Sequence, residues 1–167
     1  MIDRIEIFIT ALSERLQRVF SSGVYDTGPA DSLLGKHVLV KIYADGVVGC
    51  AQVRPISPGH FVADTAPSVF SAIKEVYGPA LLGKSIFDFE TVNAMFDNRL
   101  AGNPAARSVL DIALHDAAGK ALKTPVYNLI GGCCPPRLPL AWSVSMADDG
   151  RVLVDEAATA VDQARLQ

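Results

Sequence analysis

The sequence predicts an α+β fold, in which a three-stranded antiparallel sheet carries a layer of helices and a further strand and helix follow. Three observations lead there. Apolar residues alternate in the first third of the chain and fold back on themselves at Asp45-Gly46. After that the apolar spacing changes to that of helices, in three successive segments. Near the end alternation returns once, over Leu138 to Val144, and a helical pattern over Val152 to Leu166 follows it.

The first strand is marked by Ile2, Ile5, Ile7 and Ile9, with Glu6, Phe8 and Thr10 on its other face. Acidic residues interrupt its apolar run and no small-residue cleavage site follows, so it reads as a strand rather than a signal peptide. Residues 20–36 hold three Gly, one Pro and several Ser and Asp without a sustained period, and read as a long loop. Val38, Val40 and Ile42 begin the second strand, Asp45-Gly46 turns it, and Val47 to Val53 return as the third.

Residues 54–63 form a second loop, stiffened by two prolines. Asp64 or Thr65 then caps a helix bearing Val69, Phe70, Ile73, Val76 and Tyr77, which Gly78-Pro79 stops. Asp88 opens another, with Phe89, Val92, Met95, Phe96 and Leu100 at helical spacing. The third is the clearest. Asn103 is a good N-cap and Pro104 sits where its missing N–H costs nothing. Ala106, Val109, Leu110, Ala113, Leu114, Ala117 and Ala121 form its apolar stripe, and Pro125 closes it. Asp116 and Lys120 make a favourable exposed pair, and Gly119 suggests a close backbone approach by a neighbour.

Composition excludes several classes of function. Half of the 167 residues are apolar and 20% are charged, as in ordinary globular proteins. The net charge of −3 provides no basic footprint for nucleic acid. No run approaches the roughly 18 apolar residues of a membrane span. Cys50, Cys133 and Cys134 form no C-x-x-C pair, which fits a reducing cytoplasm. No G-x-G-x-x-G or P-loop spacing supports nucleotide binding. Asp111, His115 and Asp116 look like a metal or acid-base cluster, but lack a third converging ligand and read as scaffold.

The stretch A-A-R-S-V-L-D-I-A-L-H-D-A-A-G-K-A-L-K-T-P-V-Y-N-L-I-G-G, residues 105–132, contains the pattern A-x-D-x-A-x-x-D-x-x-G-K with Val109 in place of its first Ala, and a P-x-x-x-L-x-G-G exit. It resembles the last long helix of the N-terminal capping domain in the mandelate racemase/muconate lactonising enzyme family of the enolase superfamily. The resemblance implies an enolase-like capping domain over residues 1–125. Residues 126–167 would then be the linker and first strand-helix unit of a modified, incomplete (β/α)7β barrel. It also implies a racemase, epimerase, cycloisomerase or acid-sugar dehydratase that abstracts a proton alpha to a carboxylate.

In that family Mg²⁺, held by three barrel carboxylates, stabilises the resulting dianion, and a lysine or histidine takes the proton. The family's K-x-K motif and metal ligands would fall beyond Gln167. No catalytic or metal-binding residue is therefore assigned here, and the chain alone is expected to be inactive. The implied partners are a small carboxylate substrate, the chain's own barrel and further copies of itself.

The cap's share in the family is to close the barrel mouth with two loops, here Ser21 to Lys36 and Arg54 to Ala63. Tyr25 in the first, and His60 and Phe61 in the second, are the substrate-facing candidates. Where the family usually shows G-x-G-E, this chain has Gly49-Cys50-Ala51-Gln52, without the carboxylate. Trp142 reads as core packing near the end of the first barrel strand. The competing expectation is a stand-alone α+β binding module, disfavoured because it would leave the strand at Leu138 to Val144 unpaired.

Overall fold

The computed structural model describes residues 1–11, 17–20, 23–26, 29, 35–55, 63–132, 141–144 and 146–165. The central strand carries the sheet. In β4 (Lys36–Ala44) every second residue is apolar, and Val38, Val40, Ile42 and Ala44 are all buried. β1 (Ile2–Ala11) and β5 (Val47–Val53) flank it antiparallel, in the order β1-β4-β5. Asp45 and Gly46 both take positive φ, +48° and +82°, the conformation of a two-residue hairpin turn. On β1 the apolar series steps by three from Ile2 to Ile5. The register shifts there, with Ile2 opposite Ala44 but Arg4 opposite Tyr43, so a bulge at Asp3 absorbs the extra residue.

A second hairpin begins before the segment read as a long loop and returns within it. β2 (Gln17–Phe20) pairs with β3 (Gly23–Asp26), with Val19 opposite Val24 and the Gln17 amide donating to the Asp26 carboxylate at 3.0 Å. Strands of four residues are too short to display a period, which is why composition alone suggested a loop.

Thr65 caps α1 (Ala66–Ala72) in a reciprocal box with Ser68. Gly78-Pro79 does not stop this helix. A π turn over Ile73–Tyr77 follows α1 and carries the chain into α2 (Gly78–Leu81), with the Gly78 N–H bonded to the Ile73 carbonyl. The wider turn accommodates a proline that could not donate to an ordinary helical ladder. α3 (Phe89–Asp97) follows Asp88 as expected.

α4 (Pro104–Leu122) is the longest helix and lies across the sheet. Its stripe is buried from Ala106 to Ala117, but Ala121 is exposed and Ala118 is buried instead. Small residues on this face permit a close approach. A Cβ built on Gly49 would lie 2.0 Å from the Ala113 carbonyl oxygen, so only glycine fits at that point of β5. Asn103 stands at the N-cap, but it is left-handed (φ +54°) and its side chain caps no helical N–H, its amide donating to the Ala101 carbonyl. The buried Asp64 carboxylate takes the Ala105 N–H instead, at 2.9 Å. The helix ends at Leu122, three residues before Pro125, where left-handed Lys123 lets the Thr124 N–H bond to the Gly119 carbonyl at 2.9 Å. That return brings the Thr124 oxygen to 3.0 Å from the place of a Gly119 Cβ, the close approach expected at this glycine.

α4 also covers the outer margin of β5. Asp116 accepts the Cys50 N–H at 2.7 Å, and Lys120 donates to the Val48 carbonyl at 2.8 Å while pairing with Asp116 at 2.6 Å. The core enclosed between sheet and helices includes Val40, Ile42, Val69, Ile73, Tyr77, Phe96, Leu110 and Leu114.

After α4 a short 3-10 turn spans Val126–Asn128, and α5 (Gly150–Arg165) ends the described chain. Of the strand expected at Leu138 to Val144, residues 138–140 lie outside the described residues, and Ala141 to Val144 join no ladder. Trp142 is not core: it is 49% exposed, its indole N–H reaching Glu156 at 3.4 Å. On α5 the predicted face is only partly sheltered, since Ala157 and Val161 are exposed. Among the described residues nothing packs over them.

Candidate functional site

Three elements place a polar cluster at one end of the sheet. β4 begins with Lys36-His37, β5 ends at Val53 and is followed by Arg54, and β3 carries Tyr25. The pairing of Val38 with Val53, carried one step further, sets His37 opposite Arg54. Arg54 reaches across to β3, where its Nη2 donates to the Tyr25 hydroxyl oxygen and its guanidinium carbon lies 5.2 Å from the ring centroid. Stacking and hydrogen bonding to one tyrosine fix a guanidinium that would otherwise be free to rotate.

His37 sits behind this pair. Burial, and then the Arg54 charge, hold its pKa below the ordinary histidine value. The Gln52 amide nitrogen donates to His37 Nδ1 at 2.7 Å, which assigns the ring proton of neutral His37 to Nε2. Gln52 stands where the family pattern has glutamate. A carboxylate there would raise the pKa of His37 and compensate Arg54; the amide does neither. Arg54 therefore brings the cluster a positive charge that Gln52 does not offset, together with several donors.

The hairpin bearing Tyr25 is also held by the segment that follows α4. Arg18, opposite Tyr25 in the β2–β3 register, approaches Glu156 of α5 at 3.8 Å, and the Met146 N–H donates to the Val19 carbonyl at 2.8 Å. Tyr25 is thus positioned both by the sheet end and by the segment that follows α4.

Of the three substrate-facing candidates, Tyr25 is half-buried within this cluster. His60 and Phe61 lie outside the described residues. Arg54, His37 and Gln52 were not singled out from the sequence as site residues. The signal was nevertheless available: a two-residue turn at Asp45-Gly46 fixes which residues face each other, and counting outward from it brings His37 opposite Arg54.

Asp111, His115 and Asp116 serve the scaffold. His115 stacks on Phe89 with centroids 4.1 Å apart and rings 11° from parallel, and its Nδ1–H donates to the Asp111 carbonyl at 2.9 Å. Asp111 accepts from Asn93 at 3.3 Å, and so links α4 to α3. Asp116 is occupied by Cys50 and Lys120. The donor set does not fit a divalent cation: among the described residues no group of three His, Cys, Asp or Glu could hold one. Among those residues, too, no helix is long and apolar enough to cross a membrane.

Comparison with known proteins agrees with this architecture. The profile of the mandelate racemase / muconate lactonizing enzyme N-terminal domain matches residues 33–131. The N-succinyl-L-Arg/Lys racemase of Bacillus cereus is 31% identical over 163 residues, which is 97% of this chain and 42% of that protein. A crystal structure of N-succinyl Arg/Lys racemase from the same species superposes with a TM-score of 0.79 at 30% identity, again over 97% of this chain and 42% of the other. Muconate lactonizing enzyme from Pseudomonas putida shares the fold, with a TM-score of 0.77 at 24% identity over 97% of this chain and 40% of that one. The chain therefore spans about two fifths of the length of these relatives. Sheet order, the long helix laid on Gly49 and the matched span agree: the chain belongs to the mandelate racemase / muconate lactonizing enzyme family of the enolase superfamily.

Proposed function

We propose that this chain forms the cap, residues 1–125, and the opening barrel segment, residues 126–167, of an enzyme that abstracts the proton next to a substrate carboxylate. The reaction is that of a racemase, epimerase, cycloisomerase or acid-sugar dehydratase. Such a proton is very weakly acidic, so the developing charge demands strong electrostatic stabilisation. When bound, Mg²⁺ supplies that stabilisation, and its ligands and the catalytic base belong to a barrel beyond Gln167. This chain's own residues have a different share. Tyr25 and Arg54 face the substrate, and the loops that carry them exclude water from the reacting carbon. The enzyme works as a homo-oligomer in the cytoplasm.

The observation that supports this reading most is that the likeness to the racemase covers 97% of the chain, and so extends past the cap into α5. A lone binding module would have no use for the second segment.

The test is to express the whole reading frame with Mg²⁺ and follow exchange of the alpha proton for deuterium by NMR. The panel of carboxylates includes N-succinyl amino acids and muconolactone. Exchange with any of them supports the reading, whereas no exchange across the panel overturns it. The 167-residue chain by itself is expected to catalyse none.

A further inference from the structure

We propose that Arg54 and Tyr25 form an anchor for a second anionic group of the substrate, a carboxylate distinct from the one beside the reacting carbon. The proposal rests on the reading above in taking the two loops to face the substrate.

The geometry is that of an incomplete ion pair. A guanidinium has five N–H donors, and Tyr25 accepts from Nη2. Arg4, Arg18 and Arg107 each have a carboxylate within reach, from Glu6, Glu156 and Asp97. Among the described residues Arg54 has none. It is also half-buried, so part of its hydration is lost without a compensating charge. An anion would restore that balance with charge-assisted hydrogen bonds.

The neighbours are matched to the same ligand. A tyrosine oxygen that accepts from Arg54 keeps its own proton to donate, so Tyr25 O–H and the remaining Arg54 N–H groups present donors together. Behind them, Gln52 donates its amide to His37, so at the position where the family pattern has glutamate no charge repels an anion. The planar fork of Arg54, fixed against the Tyr25 ring, suits the two oxygens of a carboxylate. Tyr25 and Arg54 lie 29 residues apart, so a ligand held by both ties the β2–β3 hairpin to the end of β5.

The test uses the 167-residue chain with succinate as probe, observing the Arg54 Nε–Hε and Tyr25 ring resonances by NMR. Succinate is expected to shift both saturably, and succinamide to shift neither. Arg54→Met weakens succinate binding about tenfold or more, Tyr25→Phe weakens it less, and Arg54→Lys partly restores it. Thermal melts of each variant separate lost binding from lost folding, and Tyr25→Phe keeps the ring should Arg54→Met unfold. Absence of any succinate shift, or equal shifts with succinamide, overturns the proposal. Inorganic phosphate binding more tightly than succinate overturns the assignment to a carboxylate. Because this readout involves no proton exchange, a chain that binds succinate while the whole reading frame exchanges no alpha proton removes the enzyme reading and leaves the anchor.

Discussion

The Asp64 carboxylate accepts the Ala105 backbone N–H at 2.9 Å across 41 residues of chain, and so caps a helix that begins far from it in sequence. The side chain lies just before α1, is only 5% exposed, and faces the positive end of α4. One residue thus joins the start of two helices. Asp64→Ala leaves that N–H without its partner and is expected to cost about 1–3 kcal/mol in urea unfolding. Asp64→Asn retains an acceptor oxygen and is expected to lose less.

Gly49 governs how closely the long helix approaches the sheet. A methyl group there meets the Ala113 carbonyl and the Ala117 side chain, at 2.0 Å and 2.7 Å, and backbone cannot yield as a flexible side chain can. Gly49→Ala is expected to destabilise by at least the roughly 1–3 kcal/mol typical of overpacking. Gly46→Ala, which meets nothing within 4 Å, is the control for backbone strain alone, since Gly46 has φ +82°. Comparison of the two melting temperatures checks the prediction.

His37 gives the fold a pH dependence with a definite sign. Its pKa is depressed in the folded state, first by burial and then by Arg54, so the unfolded chain binds the proton more readily. Its contribution is fully present above the ordinary value of 6.5 and is lost as pH falls from there through the folded pKa. Denaturation midpoints between pH 7 and pH 5 should therefore decline in the wild type and decline less steeply in His37→Gln. An identical slope in the two proteins would show that the histidine is not linked to folding.

Tyr77 is fully buried and donates its hydroxyl to the Leu100 carbonyl at 3.1 Å. Its ring lies 4.7 Å from that of Phe96, which secures the π turn against α3. Tyr77→Phe preserves the packing and strands one carbonyl, for an expected loss of about 1 kcal/mol. Burial raises the pKa of Tyr77, so absorbance titration should show it ionising above the ordinary tyrosine range.

What the sequence revealed followed the strength of local signals. β4, β5 and their turn were legible because alternation is unbroken and Asp45-Gly46 fixes the register. α4 was legible from Ala106 to Ala117 for the same kind of reason. Its N-cap position at Asn103 was legible too, but the side chain that bonds the free Ala105 N–H was not, because Asp64 reaches it only through tertiary folding. The π turn was hidden by the usual reading of Gly-Pro as a stop. Tyr25 was identified from its place in a loop, but its partner Arg54 comes from another segment, and no local rule pairs residues that far apart. Trp142 was misread because a large aromatic ordinarily belongs to a core, and here its indole instead meets a glutamate.

The pair formed by Asp116 and Lys120 has a consequence for association. Strand addition between copies requires exposed backbone groups on the margin of a sheet, and there the Val48 carbonyl and the Cys50 N–H are already bonded to α4. Among the described residues no strand lies beyond β1 at the opposite margin. A fibre built by continuing the sheet needs two free margins per copy. With one blocked by a lysine and an aspartate, strand pairing between copies along β1 closes on itself as a two-fold pair and goes no further.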